Sequence, residues 1–285
     1  MATFTNQATL SYNGLSLTSN LATGEILETL TINKTAVRSE YTNGDDITYV
    51  VNLINSGNTP LNGITLTDDL GGYTVPGNTV YPLAYRPDSV RYFTNNTPSA
   101  QAPTVTAGPP LTISDISVPA NGTATVTYEA TLTEFAPLAT ADSITNTVTA
   151  TGAGITTPVT DDEVIVPAAT PQLRINKTIN PNVVTENSPV TYTFLIENLG
   201  NTPLTAGDTA VINDVFNPIL TNLSASIDNT PLVLNTDYTY NQATGEFNTV
   251  PGRITVPAAT YTTNPDTGVI TTNPGQTTLT VTGTI

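Results

Sequence analysis

Apolar and polar residues alternate along most of this chain, in short runs separated by glycine, proline and asparagine. The run Gly122–Leu132, GTATVTYEATL, is typical, because every second residue is apolar or glycine and Thr or Glu stands between them. A period of two residues predicts a β-strand with one buried face. Many such runs, in a chain of 285 residues with 22 prolines and 19 glycines, predict an all-β fold built from sandwiches.

The same pattern occurs twice along the chain. Leu30–Leu61 matches Leu173–Leu204 without a gap, and both segments begin with a strand that contains INKT. Two shorter matches come after them, Ile64–Leu70 with Ala210–Phe216 and Gly122–Leu132 with Gly275–Ile285. An internal repeat of this length predicts two tandem domains of the same architecture.

The two repeats differ beyond their last matched segment. The first continues into Ile144–Val166, which reads as two strands joined by a glycine-containing turn. The second has no such segment after Ile285, but Phe4–Leu27 has the same layout and also precedes an INKT strand. We therefore expect an N-terminal donor hairpin in residues 1–29, a complete sandwich in 30–169 and a sandwich lacking its last strands in 170–285.

An incomplete sandwich exposes an apolar trough and free strand edges, and an isolated hairpin is not stable in water. Both defects are removed if the hairpin of one molecule completes the second domain of another. Such a head-to-tail contact builds a filament unless it closes into a ring. The residues expected at this contact are Phe4, Ala8 and Leu10 on the donor, and Leu279, Val281 and Ile285 on the acceptor. Two alternatives stay open, a hairpin that completes its own chain and a disordered N-terminal tail.

The only two lysines of the chain, Lys34 and Lys177, occupy the same position of the repeat. Alternation places Lys34 on the apolar face of its strand, beside Leu30 and Ile32, so each lysine is expected to point inward. The same test finds inward-facing polar residues on other strands, namely Asp68 and Asn146 in the first domain, Asp214 in the second, and Asn6 in the donor hairpin.

A lysine, an asparagine and an acid in an apolar core are the ingredients of a self-formed isopeptide bond. Burial disfavours the charged forms of an amine and of a carboxyl, and a neutral amine can attack the asparagine amide carbon. Asp68 and Asp214 would polarise the amide oxygen and shuttle protons. We expect a Lys34–Asn146 bond within a molecule and a Lys177–Asn6 bond between molecules. The alternative is a buried Lys–Asp ion pair with asparagine as a hydrogen-bond partner.

Composition excludes several classes of function. The chain has no cysteine and no histidine, which excludes disulfides, thiol nucleophiles and histidine chemistry. A formal net charge of −16 argues against nucleic acid as a partner. No run approaches the roughly 18 apolar residues of a membrane helix, so no membrane insertion is expected. We expect no cofactor, no metal site, and no enzymatic activity beyond self-catalysed cross-linking.

The repeats share a Lys-Thr strand, a tyrosine-containing strand that ends in Asn-x-Gly, and a following Asp. In this they resemble the Ig-like repeat of bacterial cell-surface proteins known as domain of unknown function 11. The resemblance implies sandwiches of a surface or stalk protein without enzymatic activity. With the repeat phase, it predicts two tandem Ig-like β-sandwich domains, the second lacking its last strands, preceded by a donor hairpin.

These observations predict a structural subunit of an extracellular filament, a pilus or a spore appendage, whose partner is another copy of the chain. Minor tip or anchor subunits would fit the same scheme. The start, MATFTNQATL, lacks the basic and apolar regions of a signal peptide, which favours assembly in a mother cell and a place on the spore surface. A secreted surface fibre is the second location. The alternative function is a ligand-binding adhesin or stalk module that remains monomeric, and an enzyme is the least favoured class.

Overall fold

A computed structural model describes residues 2–26 and 29–285. The described residues form β-strands joined by turns and loops, with one short 3₁₀ helix at Ala206–Asp208, so the predicted all-β fold is confirmed. Contacts divide the chain into two compact units. The first contains Met1–Pro137, Ser143–Val166 and Pro265–Gly268, and the second contains Leu138–Asp142, Pro167–Asn264 and Val269–Ile285. No helix within the described ranges has the length and apolar character needed to cross a lipid bilayer.

The chain begins with a ribbon of four short strands. These are β1 (Ala2–Asn6), β2 (Thr9–Tyr12), β3 (Leu15–Thr18) and β4 (Ala22–Ile26). β1 pairs with β4 and β2 pairs with β3, both antiparallel. The ribbon turns at Asn13 and Gly14, whose φ angles of 45° and 80° suit the two-residue hairpin turns that asparagine and glycine favour. We call Ala2–Ile26 the N-terminal ribbon.

The first unit is a sandwich of two six-stranded sheets. Its strands are β5 (Leu30–Ala36), β6 (Glu40–Tyr41), β7 (Asp46–Asn55), β8 (Leu61–Asp68), β9 (Tyr73–Val75), β10 (Asn78–Val80), β11 (Leu83–Tyr85), β12 (Arg91–Thr94), β13 (Thr97–Pro98), β14 (Thr104–Thr106), β15 (Leu111–Val118), β16 (Gly122–Leu132), β17 (Ile144–Thr151) and β18 (Val159–Pro167). One sheet has the order β13-β12-β16-β7-β5, with β11 also paired to β16. The other has the order β14-β15-β8-β17-β18-β6, and β9 and β10 form a separate hairpin.

The alternation seen in the sequence explains this sandwich. Along β16 buried and partly buried residues alternate without a break, and most of β7 follows the same pattern. Apolar residues of both sheets fill the space between them, among them Tyr49, Val51, Ile64 and Val126, each with no more than 1% of its surface exposed. Such interdigitated apolar faces are the main source of stability in a β-sandwich.

The second unit repeats one of these sheets. Its strands are β19 (Leu173–Asn180), β20 (Pro189–Asn198), β21 (Asn213–Val215), β22 (Thr221–Ile227), β23 (Thr230–Pro231), β24 (Tyr238–Asn241), β25 (Glu246–Thr249), β26 (Thr260–Thr263), β27 (Ile270–Asn273) and β28 (Gly275–Thr284). The order β23-β22-β28-β20-β19 reproduces β13-β12-β16-β7-β5 strand for strand. Its core includes Phe194, Phe216, Phe247, Leu279 and Val281.

The second sheet of this unit is shorter than its counterpart. β8 of the first unit pairs with β15 on one side and with β17 on the other. β21, which occupies the matching place in the repeat, pairs with β25 on one side, and no strand within the described residues pairs with its other edge. The strands that correspond to β17 and β18 are therefore not part of the sheet that the described chain forms here.

Candidate cross-linking sites

Lys34 lies on β5, with its side chain pointing between the two sheets of the first unit. β5 forms an edge of its sheet, where Lys34 is paired with Val51 of β7. The side chain of Lys34 is 0% exposed. The alternation of apolar residues along the strand therefore predicted the inward direction of the Lys34 side chain correctly. A lysine in an apolar core is nevertheless unusual.

The partner of Lys34 is Asp68, which lies at the end of β8 in the opposite sheet. The Lys34 Nζ atom donates to Asp68 Oδ2 at 2.6 Å, and the carboxylate side chain is 3% exposed. The other oxygen of Asp68 accepts a hydrogen bond from the backbone of Leu70 at 3.0 Å. A second contact joins the sheets nearby, since the Lys34 backbone N–H donates to Asp161 Oδ2 at 2.6 Å.

Asn146 and Tyr128 complete the buried cluster. β17 lies beside β8 with Val148 opposite Asp68, so Asn146, two residues earlier, points to the same face. The Tyr128 hydroxyl donates to Asp68 Oδ2 at 2.5 Å, and Asn146 Nδ2 donates to the Tyr128 hydroxyl at 3.3 Å. Asn146 is 0% exposed, and its carbonyl oxygen accepts no hydrogen bond from the residues that the structure describes. A buried acceptor without a donor is costly, so this amide oxygen is an unsatisfied polar group.

Burial shifts the pKa values of the lysine and the tyrosines in this cluster. Desolvation lowers the pKa of Lys34, against the opposing effect of the Asp68 carboxylate. Desolvation likewise raises the pKa of Tyr128, and the charge of Asp68 raises it further. The pKa of Tyr49, whose ring stacks on Tyr128 with centroids 5.4 Å apart, is also raised by burial. The Lys34 Nζ atom lies 4.9 Å from the centre of the Tyr49 ring. The cluster therefore favours an amine that loses its proton more readily than a surface lysine.

The second unit holds a related but more exposed pair. Lys177 on β19 forms an ion pair with Asp214 on β21, and their side chains are 40% and 17% exposed. The ammonium lies 4.8 Å from the ring centre of Tyr192 and 5.3 Å from those of Phe194 and Phe216. These aromatic faces attract the cation. The sequence-predicted lysine and acid of this unit are thus brought together, but solvent reaches them.

The whole of β19 is exposed, unlike β5. Leu173 is 45% exposed where its counterpart Leu30 is 5% exposed, and Ile175 is 57% exposed. In the first unit, β17 and β18 extend the facing sheet beside β8, and Lys34 is covered. The second unit therefore presents an apolar strand face and the free edge of β21 on the same side as Lys177.

Asn6, the partner predicted for Lys177, lies in β1 of the N-terminal ribbon and is exposed. Phe4 is 55% exposed, Leu10 is 64% exposed, and Ala8 is exposed as well. The ring of Phe4 lies against Gly24 on the paired strand, where a Cβ atom would come within 2.3 Å of it. The apolar side chains predicted for the interface thus lie on the outside of the ribbon.

The predicted acceptor residues have a different environment. Leu279 and Val281 are 0% exposed and Ile285 is half-buried, because β28 lies in the middle of its sheet between β20 and β22. Leu279 and Val281 are therefore core residues of the free chain. In the second unit of the free chain, exposed apolar residues lie on β19 and β21.

Tyr128 belongs to the buried cluster but is not among the residues that the sequence pattern predicted there. It lies on the buried face of β16, two residues after Val126 and two before Ala130. The signal was available, because the face test applied to Lys34 and Asp68 places Tyr128 inward as well. In the second repeat the same position is Val281, which has no hydroxyl group.

No family model and no curated protein matches the chain. Among solved structures, it is similar to the pilus backbone protein RrgB of Streptococcus pneumoniae, with 15% identity and a TM-score of 0.36 over 87% of this chain and 55% of that one. It is also similar to the major pilin SpaD of Corynebacterium diphtheriae, with 12% identity and a TM-score of 0.37 over 58% of this chain and 41% of that one. The chain thus spans less than two thirds of either pilin.

A third similar structure is the collagen-binding subdomain of the Enterococcus faecalis surface protein ACE. The identity is 10% and the TM-score 0.33, over 47% of this chain and 95% of that one. Likenesses at this level of identity and TM-score assign no function. The function is therefore inferred from this chain's own residues.

Proposed function

We propose that this chain is the structural subunit of an extracellular filament that grows head to tail by donor-strand exchange. In this arrangement the N-terminal ribbon of one copy adds to the free edge of β21 in the next copy. The observation that carries the proposal is the contrast between two matching units. They share one five-strand order, yet β8 is paired on both edges and β21 on one.

The exposed surfaces on the two sides are alike in chemistry. The ribbon exposes Phe4, Leu10, Tyr12, Leu15, Leu17 and Leu21, each by more than half of its surface. The second unit exposes Leu173, Ile175 and Val215 beside the open strand edge. Apolar side chains of both surfaces would leave water on joining, while the backbone of the added strand would supply hydrogen bonds to the edge.

The sequence match between β17 and the start of the chain supports the same partner. In β17, Ile144, Asn146, Val148 and Ala150 face the core, with at most 2% exposure. The residues that align with them are Phe4, Asn6, Ala8 and Leu10. A ribbon placed beside β21 as β17 lies beside β8 would bring Asn6 to the Lys177–Asp214 pair.

We also propose that isopeptide bonds reinforce the filament. The Lys34 amine attacks the Asn146 amide carbon, a C–N bond forms, the original C–N bond breaks, and ammonia leaves. One proton moves from Nζ to the departing nitrogen, and Asp68 ends as it began. Holding both groups in one rigid core supplies much of the rate. The corresponding reaction of Lys177 with Asn6 of the next copy, assisted by Asp214, would join subunits covalently.

The test is assembly of the purified chain over a range of concentrations, followed by light scattering and electron microscopy. We expect filaments, and a ladder of oligomers on a denaturing gel after boiling. Deleting residues 1–26 should leave monomers, and a synthetic peptide of residues 2–26 should bind these one to one and stop growth. A deletion variant that still forms filaments would refute the exchange. A full-length chain that is monomeric at every concentration would indicate a ribbon that closes on its own chain.

The alternative is a ligand-binding adhesin or stalk module that remains monomeric. One feature favours it, an open groove on the second unit lined by Leu223, Leu234, Tyr238, Tyr240, Asn241 and Gln242. Aromatic faces beside side-chain amides suit a polar ligand with apolar faces, such as a glycan. A chain that stays monomeric and binds specific glycans on a glycan array would favour this alternative.

An extracellular location belongs to the same proposal, with the spore surface first and a secreted surface fibre second. Immunogold labelling of spores and of growing cells distinguishes these two places. The proposed role includes no turnover of an external substrate, and the subunit's partners are copies of itself, with tip or anchor subunits at the fibre ends.

A further inference from the structure

We propose that Tyr128 is a catalytic residue of the first unit, whose hydroxyl passes a proton from Asp68 to the departing amide nitrogen of Asn146. The inference rests on the Lys34–Asn146 bond proposed above. It adds a fourth side chain to the three proposed for that reaction, which are Lys34, Asp68 and Asn146. It is carried by a continuous line of hydrogen bonds between the attacking and the departing nitrogen atoms.

That line has three links. Lys34 Nζ donates to Asp68 Oδ2 at 2.6 Å, the Tyr128 hydroxyl donates to the same oxygen at 2.5 Å, and Asn146 Nδ2 lies 3.3 Å from the Tyr128 oxygen. All four residues are at most 2% exposed. The two nitrogen atoms that exchange a proton in the reaction are therefore connected through Asp68 and Tyr128 in a site shielded from solvent.

The chemistry requires such a connection. An amide nitrogen leaves only after it gains a proton, and a positioned acid speeds such steps by about 10²- to 10⁴-fold. The proton lost by Nζ goes to Asp68, Asp68 gives a proton to the Tyr128 oxygen, and the Tyr128 hydroxyl proton goes to Nδ2. Each relay group takes one proton and gives one, so the net change is the new C–N bond and free ammonia.

The neighbouring Tyr49 provides an internal comparison. It is as deeply buried as Tyr128 and its ring stacks on the Tyr128 ring. The Tyr49 hydroxyl lies near the Asn146 amide but, unlike that of Tyr128, makes no hydrogen bond to Asp68. Tyr49 therefore shares the packing role of Tyr128 and lacks its place in the line of hydrogen bonds.

The second unit lacks this relay, because Val281 stands where the first has Tyr128. A bond at Lys177 would form without a tyrosine hydroxyl at that position and should be slower. We infer an order of events in which the first unit closes its internal bond before subunits become covalently joined.

The experiment compares Tyr128→Phe with Tyr49→Phe in the full chain. Each chain is isolated from inclusion bodies and dissolved unfolded in denaturant, so that the bond has not yet formed. Dilution of the denaturant lets the chain refold and starts the reaction. Intact mass spectrometry follows the loss of ammonia, peptide mapping locates the bond, and circular dichroism checks folding. We expect Tyr49→Phe to react within a few-fold of the natural sequence, and Tyr128→Phe to react about 100-fold more slowly while folding normally.

The outcomes separate the two proposals. If the natural sequence forms no Lys34–Asn146 bond, the bond itself is refuted and the relay with it. If the natural sequence reacts and both variants keep its rate, the relay alone is refuted. If Tyr128→Phe does not fold, the relay is tested on the natural sequence, by measuring the rate of bond formation in mixtures of light and heavy water. Transfer of more than one proton gives a curved dependence on deuterium content, and a straight line overturns the relay.

Discussion

Lys34 and Lys177 occupy the same position of two matching sheets, yet the side chain of Lys34 is 0% exposed and that of Lys177 is 40% exposed. Both are paired with an aspartate from the facing sheet. The difference lies in β17 and β18, which extend the facing sheet in the first unit. The same local sequence thus gives a sealed site in one unit and an open one in the other.

Amine acylation should distinguish the two lysines directly, because the chain contains no others. In the monomeric chain we expect a water-soluble acetylating ester to modify Lys177 and to leave Lys34 unmodified. Assembly should then protect Lys177. Peptide mapping by mass spectrometry gives both results. The Asn146→Ala variant, in which Lys34 has no bonding partner, is the control for burial, and rapid modification of Lys34 in that folded variant would contradict the structure.

Asn6→Ala and Asn146→Ala form a matched pair for the two proposed bonds. We expect Asn6→Ala to form filaments that separate into monomers on boiling in detergent, because strand exchange remains but the covalent joint is lost. Asn146→Ala should keep the boiled ladder, and its monomer should lack the internal ammonia loss. Gel electrophoresis and intact mass measure these effects. A boiled ladder from Asn6→Ala would rule out Asn6 as the joining residue.

The internal bond should stabilise the first unit strongly. A covalent link between residues 34 and 146 restricts the unfolded chain, and by analogy with disulfides of similar loop length Lys34→Met should lower the free energy of unfolding by about 5 kcal/mol. Lys177→Met is the control in the monomeric chain, since an ion pair exposed to this degree contributes about 0–1 kcal/mol. Guanidinium denaturation measures both. Equal effects of the two substitutions would argue against the internal bond.

Alkaline conditions should destabilise the first unit through its buried tyrosines. The pKa values of Tyr49 and Tyr128 are raised above 10.0 by burial. Above pH 10 the unfolded chain therefore loses phenol protons that the folded chain keeps. Stability is full below that pH and falls as pH rises, by about 1.4 kcal/mol per pH unit for each tyrosine.

The measurement is the free energy of unfolding at several pH values above 10. We expect the double variant Tyr49→Phe/Tyr128→Phe to have a slope shallower by about 3 kcal/mol per pH unit than the natural sequence. Using the difference between the two chains removes the contribution of the partly buried tyrosines of the second unit. Identical slopes would show that these two hydroxyls ionise freely in the folded protein.

Much of the sandwich and part of the site could be predicted from alternation alone. The face test assigned Lys34, Asp68 and Asn146 to the inside, and all three lie there. The same alternation places Tyr128 inside, but a tyrosine on an apolar strand face is usually only a packing residue, so the sequence does not single it out. Alternation states which side of a strand is apolar and says nothing about which hydroxyl reaches which carboxylate across the sheets.

The sequence of residues 75–115 shows little regular alternation, for a physical reason. Several of their strands are only three or four residues long, too short to show a period. In β15 the pairing with β8 shifts between Ile113 and Ile116, and Asp115 takes a φ of 65°. This β-bulge breaks the two-residue pattern within a single strand.

The acceptor residues illustrate a second limit. Leu279 and Val281 are predicted at the interface, and in the free chain their side chains lie in the core. An apolar face can be recognised from sequence, but whether the chain itself already covers that face depends on contacts between distant segments. In this sheet the edge strand β19 is exposed, whereas the central strand β28 has its apolar face buried.

The positions of β5 and β17 determine how the first unit would respond to pulling. The polypeptide enters this sandwich at β5 and leaves it after β18. With Lys34 and Asn146 joined, tension applied at the two ends would run along a few residues of β5, through the bond, and out along β17 and β18. The strands between them would carry no load, so the first unit would resist stretching as an almost inextensible cord does, without its sandwich unravelling.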